Sequence, residues 1–523
     1  MRYDYIEKYW NKFGNDGFKR LVNEGFSCKN TNYNYVPTFT GPGHASIYTG
    51  VTPSVNGIVG NEWIDTATKK RVYCVADITA RSIGNNSPAG RMSPKNLFSS
   101  TITDELMKAT NRRSKVIAIS LKDRGAILPA GHSPTGVYWN DASSGNWITS
   151  TYYTSGKDRD STSPVDELMG WVFDFNKKEM AKKYLSQTWT TLLPIETYKE
   201  SDADDNLCEE PFRGKEKPVF PYDLPALMKV NGGLGLIRST PFGNSFTKDF
   251  SIEAIRNENM GKYSITDMLC ISFSSTDYIG HQFGPQSVEV EDCYLRLDRD
   301  IAELLKFIDE WIGKDNALVF LTSDHGASES VPCLQKKNIP SGVIHENILA
   351  DSLKKFFSRT YQDTFLLGIT NFNIYLNRKN IQQKKLDVEE VRKKTAQYLL
   401  KVNGMADAVS ASEIQKETFL SKKVSQKDSI RMKVKAGFYP GRSGDVIYVL
   451  KSGWLQEFDR GTSHGSPYEY DTHVPLIFYG WKVKKGETTD KINITDIAPT
   501  ISSLLGIPKP SGCIGALIRN LTE

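Results

Sequence analysis

The chain has 523 residues, 39% hydrophobic and 24% charged, an ordinary balance for a globular protein with a large core. With 66 basic and 61 acidic side chains its formal charge is +5, too slight to mark a nucleic-acid binder but suited to an anionic small molecule. No apolar run reaches the ~18 residues of a membrane-spanning helix. Seven scattered cysteines (28, 74, 208, 270, 293, 333, 513) without Cys-x-x-Cys argue against a thiolate zinc site and leave at least one unpaired in a monomer.

The opening, MRYDYIEKYWNKFG, places Tyr5, Ile6, Tyr9, Trp10 and Phe13 at helical spacing, so it reads as an amphipathic helix, not a signal peptide. A second helix follows over Gly17–Gly25, with no strand before either. In Tyr35–Gly50, YVPTFTGPGHASIYTG, Thr40 reads as the N-cap of a helix entered through Gly41, Pro42 and Gly43. A hydroxyl there sits by free N–H groups at the positive helix end, which suits phosphate or sulfate. Turns fill Pro53–Trp63, a helix is expected near Thr103–Ala109, and Lys115–Leu121 is a buried strand running into Lys122 and Arg124. Residues 136–235, rich in aromatics and polar turns and without a long apolar strand, read as an inserted cap. Asp267–Ser275 is a strand, with Cys270 in its core. Val288–Ile312 is a long helix with Val290, Cys293, Leu297, Ile301, Leu304, Ile308 and Trp311 on one face, and Ala317–Thr322 is another strand. A second inserted segment, 327–461, contains a strand at Asn371–Leu376 and a helix opened by the capping pattern Asp387-x-x-Glu390. A strand at Pro475–Tyr479 and a helix at Thr495–Leu505 close the chain. Apolar strands alternating with helices predict an α/β fold: one doubly wound, mainly parallel sheet with helices on both faces, in a single domain over 1–523.

The chemistry-bearing residues recur at strand ends. Asp277 and His281 follow one strand, Asp324 and His325 another, His464 lies on a loop returning to the sheet, and Lys122 and Arg124 end a third strand. Ligands of such sheets bind outside the carboxyl ends of strands. Three imidazoles and two carboxylates suit zinc, spread over more than one ion. A divalent metal lowers the pKa of an oxygen it holds by many units, which a threonine nucleophile needs. Lys122 and Arg124, pointing to one side of an extended segment, would add cationic charge for a phosphoryl group.

These residues resemble those of the alkaline phosphatase superfamily, in its branch of type I phosphodiesterases and nucleotide pyrophosphatases, and more closely its PafA-type periplasmic alkaline phosphatases of Bacteroidetes bacteria. The likeness spans nearly the whole chain: FKRLVNEGFSC, NYVPTFTGPGHASIYTG, SLKDRGAILPAG, SSTDYIGHQFGP, LTSDHG, GRSGDVIYVLKSGWL, GTSHGSPYEYDTHVPL and TDIAPTISSLLG. It implies a phosphate monoester hydrolase with two zinc ions, working through a phosphothreonine at Thr40. Asp277, His281 and His464 match the ligands of one zinc, and Asp324 and His325 match ligands of the second. Asn61 matches an amide that contacts a phosphoryl oxygen. Lys122 and Arg124 match the pair that marks monoesterases. His44 and His473 are expected to support the site, and His132 and His345 to be structural. A periplasmic or secreted monomer acting on small phosphate esters is implied, with no specific nucleic-acid partner.

In the family an N-terminal strand ends in an Asp ligand of the second zinc, two positions ahead of the position held here by Met1, and Asp4 does not match it. The expectation is a sheet lacking its first strand and a weakened second zinc. The alternatives are a phosphodiesterase on the same scaffold, or an impaired non-catalytic member lacking one metal ligand. A sulfatase needs a Cys or Ser in a C/S-x-P-x-R motif, which Thr40-Gly-Pro-Gly-His does not supply.

Overall fold

The computed structural model describes residues 1–154, 167–418 and 425–522. Alternation along the strands builds two cores on opposite faces of the central sheets. Ile117, Ile119, Ile477 and Tyr479 enter one core with the helices Phe242–Asn257 and Val288–Ile312. Ala118, Leu476 and Phe478 enter the other with the helices Thr40–Thr49, Asp123–Ala130 and Ile497–Leu505. Within the first core, buried Trp147 stacks on Phe250 at 4.5 Å. Burying an aromatic of this kind stabilises by about 2–3 kcal/mol.

The expected α/β architecture with helices on both faces stands, but the strands form two mixed sheets rather than one mainly parallel one. The five-stranded sheet runs Met268–Ser272, Val116–Ser120, Gly136–Asn140, Trp147–Ser150, Ser82–Ile83. Its first three strands are parallel, because helices join or separate them, and the tight turn after Asn140 makes the next pair antiparallel. The four-stranded sheet runs Leu318–Thr322, Leu476–Gly480, Phe26–Cys28, Gly486–Thr488, with its first two pairings antiparallel. Met268–Ser272 and Leu318–Thr322 are each an edge, and most of their apolar residues are only half-buried.

Residues 136–140, expected to open an inserted cap, lie instead within the five-stranded sheet. Residues 136–140 form an interior, fully buried strand paired with Val116–Ser120, because Val137 and Trp139 line one core while Tyr138 lines the other. Part of that segment, 155–166, lies outside the described residues. The second segment, 327–461, carries its own antiparallel sheet of Leu366–Thr370, Asn373–Leu376, Val446–Leu450 and Met405–Ser410. Helices Glu346–Tyr361 and Val388–Leu399 cover one face of it through Leu353, Phe357 and Leu399. Val36 and Phe438 pack on its other face, so this segment reaches the chain just ahead of Thr40.

Candidate active site

Thr40, Lys122, Arg124, Asp277, His281, Asp324, His325 and His464 gather at the carboxyl ends of Val116–Ser120, Met268–Ser272 and Leu318–Thr322. Gly43 makes the closest approach possible, since a Cβ on it would lie 2.2 Å from the Asp324 carbonyl oxygen. The first turn of the Thr40 helix is thereby set against the Asp324–His325 backbone. Gly461 does the same on the opposite side: at φ +67°, its missing Cβ makes room for the His281 carbonyl.

Each imidazole is oriented from behind. His281 Nδ1 donates to Thr462 O (2.7 Å), His464 Nδ1 to Thr38 O (2.7 Å) and His325 Nδ1 to Gly326 O (2.9 Å). A carbonyl can only accept, so each Nδ1 carries the proton and each Nε2 is left with a bare lone pair. Those Nε2 atoms converge on one Asp277 oxygen, at 3.4 Å from His281 and 3.8 Å from His325 and His464. Asp277, His325 and His464 place ligand atoms within 4.8 Å of one another, a group able to hold a metal. The geometry therefore crosses the expected two-set division, with His325 as close to Asp277 as His464 is. His325 Nε2 also lies 3.4 Å from an Asp324 oxygen and 3.4 Å from the Thr40 hydroxyl. The backbone nitrogen of Met1 donates to Ser323 Oγ at 2.6 Å, beside the same strand end.

Electrostatics match this geometry. Burial lowers the pKa of His464 well below the ordinary value, with His325 adding to the effect, lowers that of His325, and brings His44 down to about 4. His44, His325 and His464 are thus held in the neutral form. Burial alone would raise the Asp277 carboxyl, but His281, Lys122, His325 and His464 hold it well below the carboxylate range. The Lys122 side chain contacts Asp277 Oδ2 directly. Asp324, against its own burial, is held low by His325 and His44.

Thr40 is the first helical residue and Phe39 the N-cap, a shift of one position that keeps the hydroxyl at the helix start. Asn61 Oδ1 accepts the Gly41 N–H at 2.8 Å, so its Nδ2 is the donor left for an anion. Lys122 and Arg124 are not on an extended segment. Lys122 is the N-cap of the helix Asp123–Ala130 and Arg124 lies in its first turn. Arg124 Nη1 bonds the Tyr73 hydroxyl at 3.0 Å, and that hydroxyl also donates to Asp123. Burial works against the Arg124 charge, yet Tyr73 and Asp123 keep its pKa above the usual value, and its buried Nε has no partner. Tyr73 escaped the sequence reading. It sits on a hairpin strand paired with Glu62, and its only signal is adjacency to Asn61 across that hairpin.

Among the other histidines, His44 supports Asp324 from 3.7 Å. His473 stacks on Tyr3 and bonds Lys29 O. His132 pairs with Asp104, and His345 with Glu457 and Asp459. Asp4 pairs with Arg2.

The family model of type I phosphodiesterases and nucleotide pyrophosphatases matches residues 1–474. The chain is 43% identical to alkaline phosphatase PhoV of Synechococcus elongatus, covering 100% of this chain and 91% of that protein. It is 42% identical to alkaline phosphatase PafA of Elizabethkingia meningoseptica, covering 100% and 92%. The crystal structure of wild-type alkaline phosphatase PafA matches with a TM-score of 0.93 at 42% identity, covering 100% of this chain and 97% of that one. A second crystal structure of that protein, TM-score 0.93 at 40% identity over 100% of this chain and 97% of that one, is of a mutant in which a threonine, an asparagine, a lysine and an arginine are replaced together. The chain belongs to the type I phosphodiesterase/nucleotide pyrophosphatase family, beside these alkaline phosphatases.

Proposed function

We propose that this chain is a zinc-dependent phosphomonoesterase, an alkaline phosphatase whose nucleophile is Thr40. The observation that carries the reading is the set of three bare Nε2 lone pairs turned onto Asp277, next to a buried threonine hydroxyl at a helix N-terminus. Neutral imidazole nitrogens and carboxylate oxygens are the donors zinc takes, and their Nδ1–carbonyl bonds are the usual orienting contacts. Asp277, His281 and His464 are proposed to hold one zinc, and Asp324 and His325 the second, nearest Thr40. Bound there, zinc supplies Lewis-acid charge that makes a hydroxyl acidic and offsets negative charge built up in phosphoryl transfer.

The chain's own groups do the rest. Thr40 Oγ attacks phosphorus, forming phosphothreonine as the ester oxygen leaves, and water then cleaves that bond. Asn61 Nδ2 and the helix N-terminus bind a phosphoryl oxygen. Lys122 and Arg124 meet the second negative charge that separates a monoester dianion from a diester. The substitutions in the mutant PafA structure fall on the same four residue types as Thr40, Asn61, Lys122 and Arg124. The disulfide Cys208–Cys333 supports an oxidising, periplasmic or extracellular location. No described helix is long and apolar enough to cross a membrane. Small phosphate monoesters are the proposed substrates of a monomer.

The test is hydrolysis of an aryl phosphate monoester and its matching diester with zinc added. The monoester is expected to be strongly preferred. A diester preference contradicts the role of Lys122 and Arg124, and inertness toward both with zinc bound contradicts a catalytic reading.

A further inference from the structure

The turn that orients His281 also lays an aromatic ring on it. Thr462 O accepts the His281 Nδ1–H, and four residues earlier Phe458 stacks on the same imidazole, with ring centroids 5.1 Å apart and planes 15° from parallel. Phe458 is nonetheless 39% exposed, and among the described residues no other ring packs against it. Phe39, the aromatic neighbour of His464 at 5.4 Å, is covered by contrast, since Phe372 stacks on it. Glu457 and Phe458 both hold left-handed backbone, at φ +59° and +54°, a conformation that bulky side chains rarely adopt. The surroundings impose it. The Glu457 N–H donates to Ile344 O at 3.1 Å and its carboxylate accepts the Glu346 N–H at 2.7 Å. The His345 ring lies 3.3 Å from Glu457 and 3.1 Å from Asp459. Phe458 is thus gripped on both sides while its own ring stays partly exposed. An exposed aromatic kept at a site's edge despite backbone strain points to function rather than to packing.

We propose that Phe458 determines leaving-group specificity: its outer face is the platform on which a planar aromatic leaving group stacks. Phosphoryl transfer runs in line, so the ester oxygen departs on the side of phosphorus away from Thr40. Thr40 sits against His325, while His281 belongs with Asp277 to the other set of ligands proposed above. The leaving group therefore emerges beside His281, where Phe458 offers an apolar face to whatever follows the ester oxygen. Offset stacking on such a face favours an aryl group over an alkyl chain, which has no π-system to match it. Ring pairs of this kind contribute enough for a preference of about 3–10-fold. The inference rests on the phosphomonoesterase reading for the direction in which the leaving group departs.

The test uses the zinc-loaded full chain, with phenyl phosphate and ethyl phosphate as substrates. Phenylphosphonate and methylphosphonate serve as unreactive ligands, their binding followed by calorimetry. In Phe458→Ala the phenyl-to-ethyl ratio of kcat/KM is expected to fall about 3–10-fold, and the phenyl-to-methyl ratio of phosphonate affinities by a similar factor. Phe458→Tyr, which keeps the ring, should keep both ratios. Zinc content, read by mass spectrometry, checks that His281 still holds its metal. Phe458→Leu, which fills the space without a π face, is the second variant should the alanine form lose zinc. A ratio that stays at the wild-type value in either arm overturns the proposal and leaves Phe458 as a cover for His281, even where both absolute rates drop. A wild type inert toward both esters contradicts the phosphomonoesterase reading instead, and the ratio of phosphonate affinities alone then decides the role of Phe458.

Discussion

Asp277 and Glu209 are both acids pressed into the interior, and they end at opposite extremes. Asp277 is ringed by three imidazoles and Lys122 and stays ionised far below the usual range. Glu209 meets only other acids and is pushed up to about 11. The same desolvation acts on both, so the neighbours decide the outcome. The imidazoles are already aimed by backbone carbonyls, as the proposed metal site at Asp277 requires. Glu209 and Glu289 have no such partners, so burial pushes both carboxyls up and favours their protonated forms.

The comparison is broken most severely at Thr40. Thr40→Ala is expected to lower kcat/KM for the monoester by ~10⁴ or more while zinc content, read by mass spectrometry of the metal, stays unchanged. Activity surviving with bound zinc removes the threonine from the mechanism. Next in size, replacing Lys122 and Arg124 together by Ala should cost ~10²–10³ in monoester kcat/KM and far less with the diester. An equal loss for both substrates makes the pair structural. Tyr73→Phe removes the hydroxyl that holds Arg124 to Asp123. Hydrogen bonds to charged groups contribute about 1.5–3 kcal/mol, so a drop of ~10–100-fold is expected, again confined to the monoester. A changed diester rate would mean that Tyr73 supports the whole hairpin instead.

The acid at the other end of the comparison is read through stability. An unfolded glutamate titrates near ~4.3, whereas folded Glu209 lies at about 11. A raised folded pKa gives stability that is full below the unfolded value and lost as pH climbs toward the folded one. The protein should therefore melt lower at about pH 9 than at about pH 6, and Glu209→Gln should flatten that slope. A wild-type melting temperature flat across this range contradicts the buried-acid account.

Much of the histidine site was legible because its residues flank apolar strands, and strand ends in such sheets converge. Val288–Ile312 was read to the residue, since its seven-position apolar face leaves little choice. Other features depend on contacts distant in the chain. Gly136–Asn140 mixes aromatic and polar side chains, so its place inside the sheet follows from pairing with Val116–Ser120 rather than from its own pattern. Lys122 and Arg124 were misplaced on an extended segment because a helix, not a strand, starts at Asp123. Tyr73, the Cys208–Cys333 bridge and the Glu209–Glu289 pair join residues 50, 125 and 80 positions or so apart, which no local spacing encodes.

The central claim is tested most directly by rapid acid quench of the zinc-loaded protein turning over an aryl phosphate monoester, followed by peptide mapping. The account predicts phosphate on the peptide containing Thr40, present during turnover and absent in Thr40→Ala. An active enzyme with no phosphorylated threonine, or with the phosphate on another residue, contradicts it.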